Sequence, residues 1–161
     1  PVMRLHGCRQ PASPIINHAG EVREQTGADN EIWSFGEEAY PILYHFISIR
    51  EMMRDYTRSL MKEAHEKGTP VMRALFYEFP EDPNCWDIKD SYLFGSDILV
   101  APICHKGARS REVYLPKGAE WTHAGTQKVY PGGKWYTIDA PLETLPIFLR
   151  NGKQSYLLGQ I

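Results

Sequence analysis

The sequence predicts an α+β chain in which a long helix precedes an antiparallel β-sandwich. Apolar residues recur at steps of three and four from Ala39 to Ala64, which indicates one amphipathic helix. From Val71 onward, short apolar segments alternate with polar residues and are bounded by Gly, Pro, Asp or Asn. Turn signals at such short intervals favour a sandwich over a parallel sheet.

The limits of the helix are marked by capping and breaking residues. Ser34 and Glu37 fit a capping box, in which each side chain bonds a free backbone amide at the helix start. Gly68 supplies a left-handed stop and is followed closely by a proline. Pro41 lies early in the pattern and predicts either a kink or a later start.

Before the helix we expect one short strand and a long loop. Val2 to Leu5 form a brief apolar run, and the segment from Gly7 to about Asn30 carries scattered prolines, glycines and charges. Loops longer than about 12–15 residues are uncommon within compact domains and tend to be functional.

The second half contains seven strand candidates. They are VMRALFYEF, DILVA, REVYLP, AEWTH, KVY, KWYTI and LPIFLR. The clearest predicted hairpin is VYPGGKWYTI, because Pro131 sets the first dihedral of a type II turn and Gly132 tolerates the positive φ that follows.

Composition excludes several functional classes. The 161 residues carry 18 Lys and Arg against 20 Asp and Glu, with no basic block to bind nucleic acid. No apolar run approaches the ~18–20 residues of a membrane span. We therefore expect a soluble protein of the cytoplasm.

The cysteines suggest neither a disulfide framework nor a metal site. There are three, Cys8, Cys85 and Cys104, at wide spacings. His6, Cys8 and His18 lack the paired ligand spacing of structural zinc sites. We expect reduced thiols, no metal and no cofactor.

His6 is the first candidate site residue, since it ends the predicted strand at Val2 to Leu5 and precedes a glycine. Such a histidine can present its ring nitrogens to a ligand. On local sequence alone, we favour the commoner role of a histidine that bonds a backbone carbonyl. Arg4, two residues earlier, would point to the same side of the strand.

Carboxylates and tryptophans are the remaining candidates. The carboxylates are Glu78, Asp82, Asp87, Asp90 and Asp97, and no pair among them stands out as an acid and base. Most lie in the turn-rich stretch EFPEDPNCWDIKD, where capping of local backbone is the favoured role. Trp33, Trp86, Trp121 and Trp135 could stack on sugars, although aromatic residues of a β domain more often pack in its core.

Six blocks in order together resemble one family, the retaining α-glycosidases of glycoside hydrolase family 31. The blocks are MRLHG, KGTPVMRALFYEFPEDPNCWD, YLFGSDILVAPI, REVYLP, EWTH and LPIFLRNG. They span nearly the whole chain. The first two are most similar to bacterial α-xylosidases and α-glucosidases.

The resemblance implies an architecture. MRLHG would be the eighth strand of a (β/α)₈ barrel, and the helix over residues 37–67 would close that barrel. Residues 1–70 would then be the C-terminal end of the catalytic barrel, and residues 71–161 the proximal C-terminal β-sandwich. A whole barrel takes about 250 residues, so this chain cannot supply one.

The resemblance also implies roles for three residues. His6 would contact hydroxyls of the sugar in the −1 subsite, which reverses our preference for a structural histidine. Arg4 is a second candidate to bind substrate, although bracing the strand is its favoured role, and Trp33 would be a contact at the rim. Both catalytic aspartates of the family lie on earlier strands, so we expect no catalytic residue in this chain and no activity from the chain alone.

The implied function is that of the C-terminal part of an enzyme that hydrolyses terminal α-linked glucose or xylose. Its partners would be an α-linked oligosaccharide or glycoside and the remainder of the barrel. A homo-oligomer is also open, because an unpaired apolar strand at Val2 to Leu5 invites association. The alternative is a non-catalytic module, either carbohydrate-binding or structural.

Overall fold

The structure is a computed structural model that describes residues 13–25 and 30–161. It divides into two compact units, with the boundary between Met52 and Met53. The predicted strand at Val2 to Leu5 lies outside the described residues. Among the helices of the described ranges, none is long and apolar enough to cross a membrane.

The first unit contains a hairpin where the sequence predicted only a loop. Strands β1 (Ser13–Ile16) and β2 (Val22–Gln25) pair antiparallel. Asn17 organises the turn, since its side-chain oxygen accepts hydrogen bonds from the backbone N–H groups of Ala19 and Glu21, both at 2.9 Å. The prediction of a long loop from Gly7 to about Asn30 is therefore wrong for residues 13–25.

The start of the helical region also differs from the prediction. Residues Ile32–Phe35 form a 3-10 helix, and the Ser34 hydroxyl donates to the carbonyl of Glu31 at 2.6 Å. The predicted capping box is thus wrong, because Ser34 lies within this 3-10 helix and not at the start of the α-helix. Helix α1 (Ala39–Met52) begins late, with Pro41 in its first turn.

The predicted single helix over residues 37–67 is two helices, α1 and α2 (Arg54–Lys67). Met53 separates them with φ −83° and ψ 6°, and its carbonyl accepts the N–H of Thr57 at 2.9 Å. No proline or glycine lies at this interruption, and the helical spacing of apolar residues continues across it. The sequence therefore contains no sign that the helix is divided here. The predicted stop is confirmed: Gly68 has φ 70° and donates its N–H to the carbonyl of Ala64.

The rest of the second unit is built from eight strands and three short helices. The elements are β3 (Met72–Arg73), α3 (Leu75–Glu78), a 3-10 helix (Pro83–Trp86), β4 (Tyr92–Phe94), β5 (Ile98–Val100), β6 (Ser110–Leu115), β7 (Glu120–His123), β8 (Val129–Pro131), β9 (Lys134–Asp139), β10 (Ile147–Arg150) and a 3-10 helix (Ser155–Leu157). One sheet has the order β3-β4-β5-β10-β7-β8, and β6 pairs with β9 in a second sheet.

The two sheets enclose one hydrophobic core. Leu99 and Phe148 of the larger sheet and Val113 and Leu115 of the smaller sheet are fully buried in the same cluster. Trp121 is buried there as well, and its indole N–H donates to the carbonyl of Pro116 at 3.0 Å. An α+β chain with antiparallel sheets is therefore confirmed.

Two local predictions in this unit are wrong. The stretch VMRALFYEF is strand only at β3 and then turns into α3. The segment VYPGGKWYTI is no hairpin, because β8 pairs with β7 whereas β9 pairs with β6.

The Gly132–Gly133 pair instead carries the chain from one sheet to the other. Positive φ falls on Gly133, at 84°. Gly132 lies so close to the chain that a Cβ there would stand 2.0 Å from the carbonyl oxygen of Pro116.

Candidate functional site

The residues predicted to contact substrate are only partly described. His6 and Arg4 lie outside the described residues, and their roles remain predictions. Trp33 lies in the 3-10 helix Ile32–Phe35 with its side chain 68% exposed. Its role at the rim of a site also remains a prediction.

Glu78 is the centre of an ion-pair network. One of its carboxylate oxygens accepts from the guanidinium of Arg73, and the other lies 3.5 Å from Nη1 of Arg150. Arg73 is buried and also contacts Glu63 of α2 at 3.4 Å. Both oxygens of Glu78 are thus engaged by cations, which gives this carboxylate a structural role.

Asp82 is a buried capping residue. It accepts hydrogen bonds from the Tyr114 hydroxyl at 2.8 Å and from the backbone N–H groups of Lys117 at 2.9 Å and Asn84 at 3.3 Å. Burial alone would raise the pKa of Asp82, but these donors outweigh it and lower the pKa below its ordinary value. The capping role favoured from the sequence is what Asp82 performs in the structure.

Asp97 has a comparable arrangement at another corner of the unit. Ser96 Oγ, Gln154 Nε2 and Lys153 Nζ all lie within hydrogen-bonding distance of its carboxylate, at 2.8, 2.9 and 3.1 Å. Burial opposes ionisation, yet these donors and the charge of Lys153 lower the pKa of Asp97. Asp97 is therefore ionised and fully committed to joining the turn before β5 to the segment after β10.

The buried thiol is unsuited to nucleophilic chemistry. Burial, with a further contribution from the neighbouring charge of Asp82, raises the pKa of Cys85 to about 12. A nucleophilic cysteine needs the opposite shift. Within residues 13–25 and 30–161, no three His, Cys, Asp or Glu side chains lie close enough together to hold a metal ion.

An open cleft of about 490 Å³ lies beside the smaller sheet. Its polar and aromatic lining includes Asp87, Asp90, His105, Arg111, Glu112 and Trp135. Asp87 and Asp90, which the sequence offered as candidate acids, thus reach the same cleft. The sequence did not single out Arg111, although the alternation in KWYTID does place Trp135 on the face opposite the buried Ile138.

The sequence model described as "Glycosyl hydrolase family 31 C-terminal domain" matches residues 68–153. That is more than half of the chain. The chain belongs to glycoside hydrolase family 31. The resemblance seen in the six sequence blocks is therefore confirmed.

Several family 31 proteins are similar to the chain. It is 42% identical over 131 residues to alpha-glucosidase 2 of Bacillus thermoamyloliquefaciens, a match that covers 81% of this chain and 16% of that protein. It is 29% identical to an alpha-xylosidase of Saccharolobus solfataricus, over 99% of this chain and 19% of that protein.

Among solved structures, a family 31 alpha-xylosidase from a soil metagenome, complexed with xylose, matches 96% of this chain. The TM-score is 0.89 and the identity 45%, and the match covers 23% of that protein. The family 31 chain described here thus spans less than a quarter of the length of these relatives.

The matched domain contains β3 to β10 and the carboxylates discussed above. Glu78, Asp82 and Asp97 are each held by cations or hydrogen-bond donors of this family 31 domain. Each of these three carboxylates therefore contributes to the stability of the fold.

Proposed function

We propose that this chain is the C-terminal part of a retaining α-glycosidase that hydrolyses terminal α-linked glucose or xylose. The proposal rests on the match of residues 68–153 to the family 31 C-terminal domain. Similar proteins are named as an alpha-glucosidase and as alpha-xylosidases. The substrate would be an α-linked oligosaccharide or glycoside. The relatives from Bacillus thermoamyloliquefaciens and Saccharolobus solfataricus are named for different sugars, so the proposal includes both glucose and xylose.

The catalytic carboxylates would be supplied by a part of the enzyme not contained in these 161 residues. A retaining glycosidase needs two carboxyl groups about 5–5.5 Å apart, one as nucleophile and one as acid and then base. Glu78, Asp82 and Asp97 are each occupied by cations or by backbone and side-chain donors. Because these carboxylates are already bonded within the domain, we assign residues 71–161 a structural role, as a C-terminal β-sandwich beside a catalytic barrel.

Residues 1–70 would be the end of that barrel, with His6 as the chain's contribution to the substrate site. The imidazole would hydrogen-bond hydroxyls of the sugar that is cleaved, while Arg4 would brace the strand and Trp33 would lie at the rim. Barrel enzymes build their sites at the carboxyl ends of the strands, which suits a histidine that follows a short apolar run. The exposed free thiol Cys104 supports a location in a reducing cytoplasm.

The test is His6→Ala in the longer enzyme that carries this chain. Loss of a hydroxyl contact that strengthens in the transition state should lower kcat/KM by about 10- to 100-fold on aryl α-glucosides or α-xylosides. His18→Ala is the matched control, because His18 is an exposed turn residue between β1 and β2. An unchanged kcat/KM for His6→Ala would remove His6 from the site.

The same substrates test the division of labour. The 161-residue chain alone should release no aryl alcohol, whereas the longer enzyme should. Turnover by the chain alone would contradict our placement of the catalytic carboxylates elsewhere.

A further inference from the structure

The cleft beside the smaller sheet presents an unusual tryptophan. Trp121 is buried, and the other three tryptophans are exposed, with Trp135 52% exposed. Trp86 is already occupied, because it stacks on Phe76 at 4.9 Å and donates its indole N–H to the carbonyl of Pro80. Trp135 lines the cleft, and its indole N–H has no acceptor among the described residues.

The side chain of Trp135 is held in place by a neighbouring aromatic ring on β6. It lies opposite Tyr114 in the β6–β9 pair, and the two rings contact each other at 5.3 Å. The Tyr114 hydroxyl is in turn anchored on Asp82 at 2.8 Å. The indole is therefore a rigid surface, which costs little conformational entropy when a ligand binds.

The cleft walls are also fixed before any ligand arrives, through Arg111. This guanidinium is 11% exposed and donates to the Asp90 carboxylate at 2.8 Å and to the Asp90 carbonyl at 2.9 Å. It also donates to the carbonyl of Pro102 and to Ser91 Oγ. Arg111 thus ties strand β6 to both neighbouring segments, and it leaves Asp90 half-exposed at the cleft.

The chemistry of the lining favours an uncharged polar ligand. Asp87, Asp90 and Glu112 contribute three carboxylates, while Lys89 and Arg111 contribute two cationic groups. A phosphate or carboxylate ligand would be repelled by this lining. A purely apolar ligand would take the half-exposed Asp90 carboxylate away from water without offering it a further hydrogen-bond donor, which costs free energy.

A sugar ring fits both kinds of group. Its axial C–H bonds form an apolar face that packs on an indole, and its equatorial hydroxyls donate to carboxylates. The volume of about 490 Å³ falls within the range of about 300–1,000 Å³ typical of small-molecule sites.

We propose that this cleft is a saccharide-binding site in which a pyranose ring packs on Trp135 and its hydroxyls donate to Asp90 and Glu112. The site holds a neutral oligosaccharide without chemical change. The inference goes beyond the proposed function, since it requires no catalytic group and would stand if the parent enzyme had another activity.

The test is a titration of the 161-residue chain with maltotriose and isomaltotriose, followed through the indole N–H signals in a two-dimensional NMR spectrum. We expect the Trp135 signal to move, with a Kd of about 1 mM as for a small open site, while the signals of the stacked Trp86 and the buried Trp121 stay in place. Inorganic phosphate at the same concentration should leave it in place. No movement with either sugar up to about 20 mM, about 20 times that Kd, would overturn the proposal.

Variants separate recognition from folding. Trp135→Ala should weaken binding at least about 10-fold, and Trp135→Phe should retain part of the affinity because a smaller aromatic face remains. Tyr44→Ala, at an aromatic residue of α1 that is 60% exposed and has no proposed role in sugar binding, is the matched control and should bind like the parent chain. Equal affinity of Trp135→Ala and the parent chain would overturn the site.

The backbone NMR spectrum of Trp135→Ala shows whether this variant is folded. If it is unfolded, the affinity of Trp135→Phe is compared with that of the parent chain instead. Binding here and turnover in the longer enzyme are measured separately, so the failure of one proposal leaves the other intact.

Discussion

His123 illustrates how a single side chain acquires its properties from its surroundings. It is 6% exposed, its Nδ1 accepts the backbone N–H of Thr126 at 3.1 Å, and its ring meets Phe148 edge-on at 5.1 Å. Burial lowers its pKa below the ordinary 6.5. Protonation would charge a buried ring and also remove the acceptor for Thr126, so the folded state keeps the imidazole neutral.

This lowered pKa predicts a specific pH dependence of stability. The unfolded chain takes up a proton below about pH 6.5 while the folded chain does not, so stability is complete above that pH and falls as the pH drops further. One such group contributes at most about 1.4 kcal/mol per pH unit. We expect the fall in the urea midpoint between about pH 7.5 and pH 5 to be smaller in His123→Asn, whose amide oxygen can still accept from Thr126.

His105→Asn is the control for that experiment, because His105 is exposed. Its pH profile should match that of the parent chain. Identical profiles for His123→Asn and the parent chain would mean that His123 does not titrate differently in the two states.

At the scale of elements, the interruption between α1 and α2 is the clearest difference from the predicted helix. Met52 and Met53 are chemically identical neighbours, but Met52 is 47% exposed and Met53 only 2%. The apolar period of the sequence places both in one continuous helix. The burial of Met53 shows that this position is held by packing.

The pair provides its own matched experiment. Met53→Ala should lower the free energy of unfolding by about 2–5 kcal/mol, because it removes a buried side chain and leaves a cavity. Met52→Ala should change it by less than about 0.5 kcal/mol. Urea denaturation measures both, and similar losses for the two variants would contradict the buried position of Met53.

At this scale the sequence could predict the spacing of apolar residues and the residues that end helices and strands. Gly68 ended the helix as predicted, and β6, β9 and β10 were visible as short apolar segments bounded by turn residues. The hairpin assigned to VYPGGKWYTI failed because pairing depends on distant partners, here β6 and β7. Local turn chemistry carries no information about which sheet each flanking strand joins.

The cleft could not be predicted from the sequence either, because it also depends on contacts between distant segments. Its walls come from three segments, around residues 87–90, 103–112 and 135, which meet only after the sheets form. The exposed face of β9 could be deduced from alternation, but the presence of a facing wall could not. Without knowing which segments are in contact, we could not group the candidate residues Asp87, Asp90 and Trp135 into one site.

At the scale of the second unit, the network around Glu78 joins four elements. Arg73 of β3 contacts Glu63 of α2 and Glu78 of α3, and Glu78 also contacts Arg150 of β10. Arg150 lies over the ring of Phe79 at 4.5 Å, so the charges are flanked by apolar packing. Removal of the central carboxylate would leave the buried guanidinium of Arg73 undercompensated.

Glu78→Gln should therefore destabilise the chain by about 1–3 kcal/mol, since the amide keeps the shape but loses the charge. Asp55→Asn is the control, because Asp55 pairs with Arg58 at 3.9 Å with its side chain 98% exposed. An exposed pair of this kind contributes less than about 1 kcal/mol. Unfolding in urea compares the two, and equal midpoints would show that the Glu78 network adds no net stability.

The Gly132–Gly133 crossing has a consequence for how the second unit opens. Gly132 donates to the carbonyl of Ala119 at 3.0 Å, and Gly133 donates to that of Leu115 at 2.7 Å, so adjacent amides are bonded to the segments that lead into β7 and out of β6. Each bond extends the ladder of its own sheet, Gly132 that of β7–β8 and Gly133 that of β6–β9, so opening one ladder at this end displaces the peptide that joins it to the other. The sandwich should therefore exchange its protected amide hydrogens with solvent as one cooperative unit, with no intermediate in which one sheet survives the other.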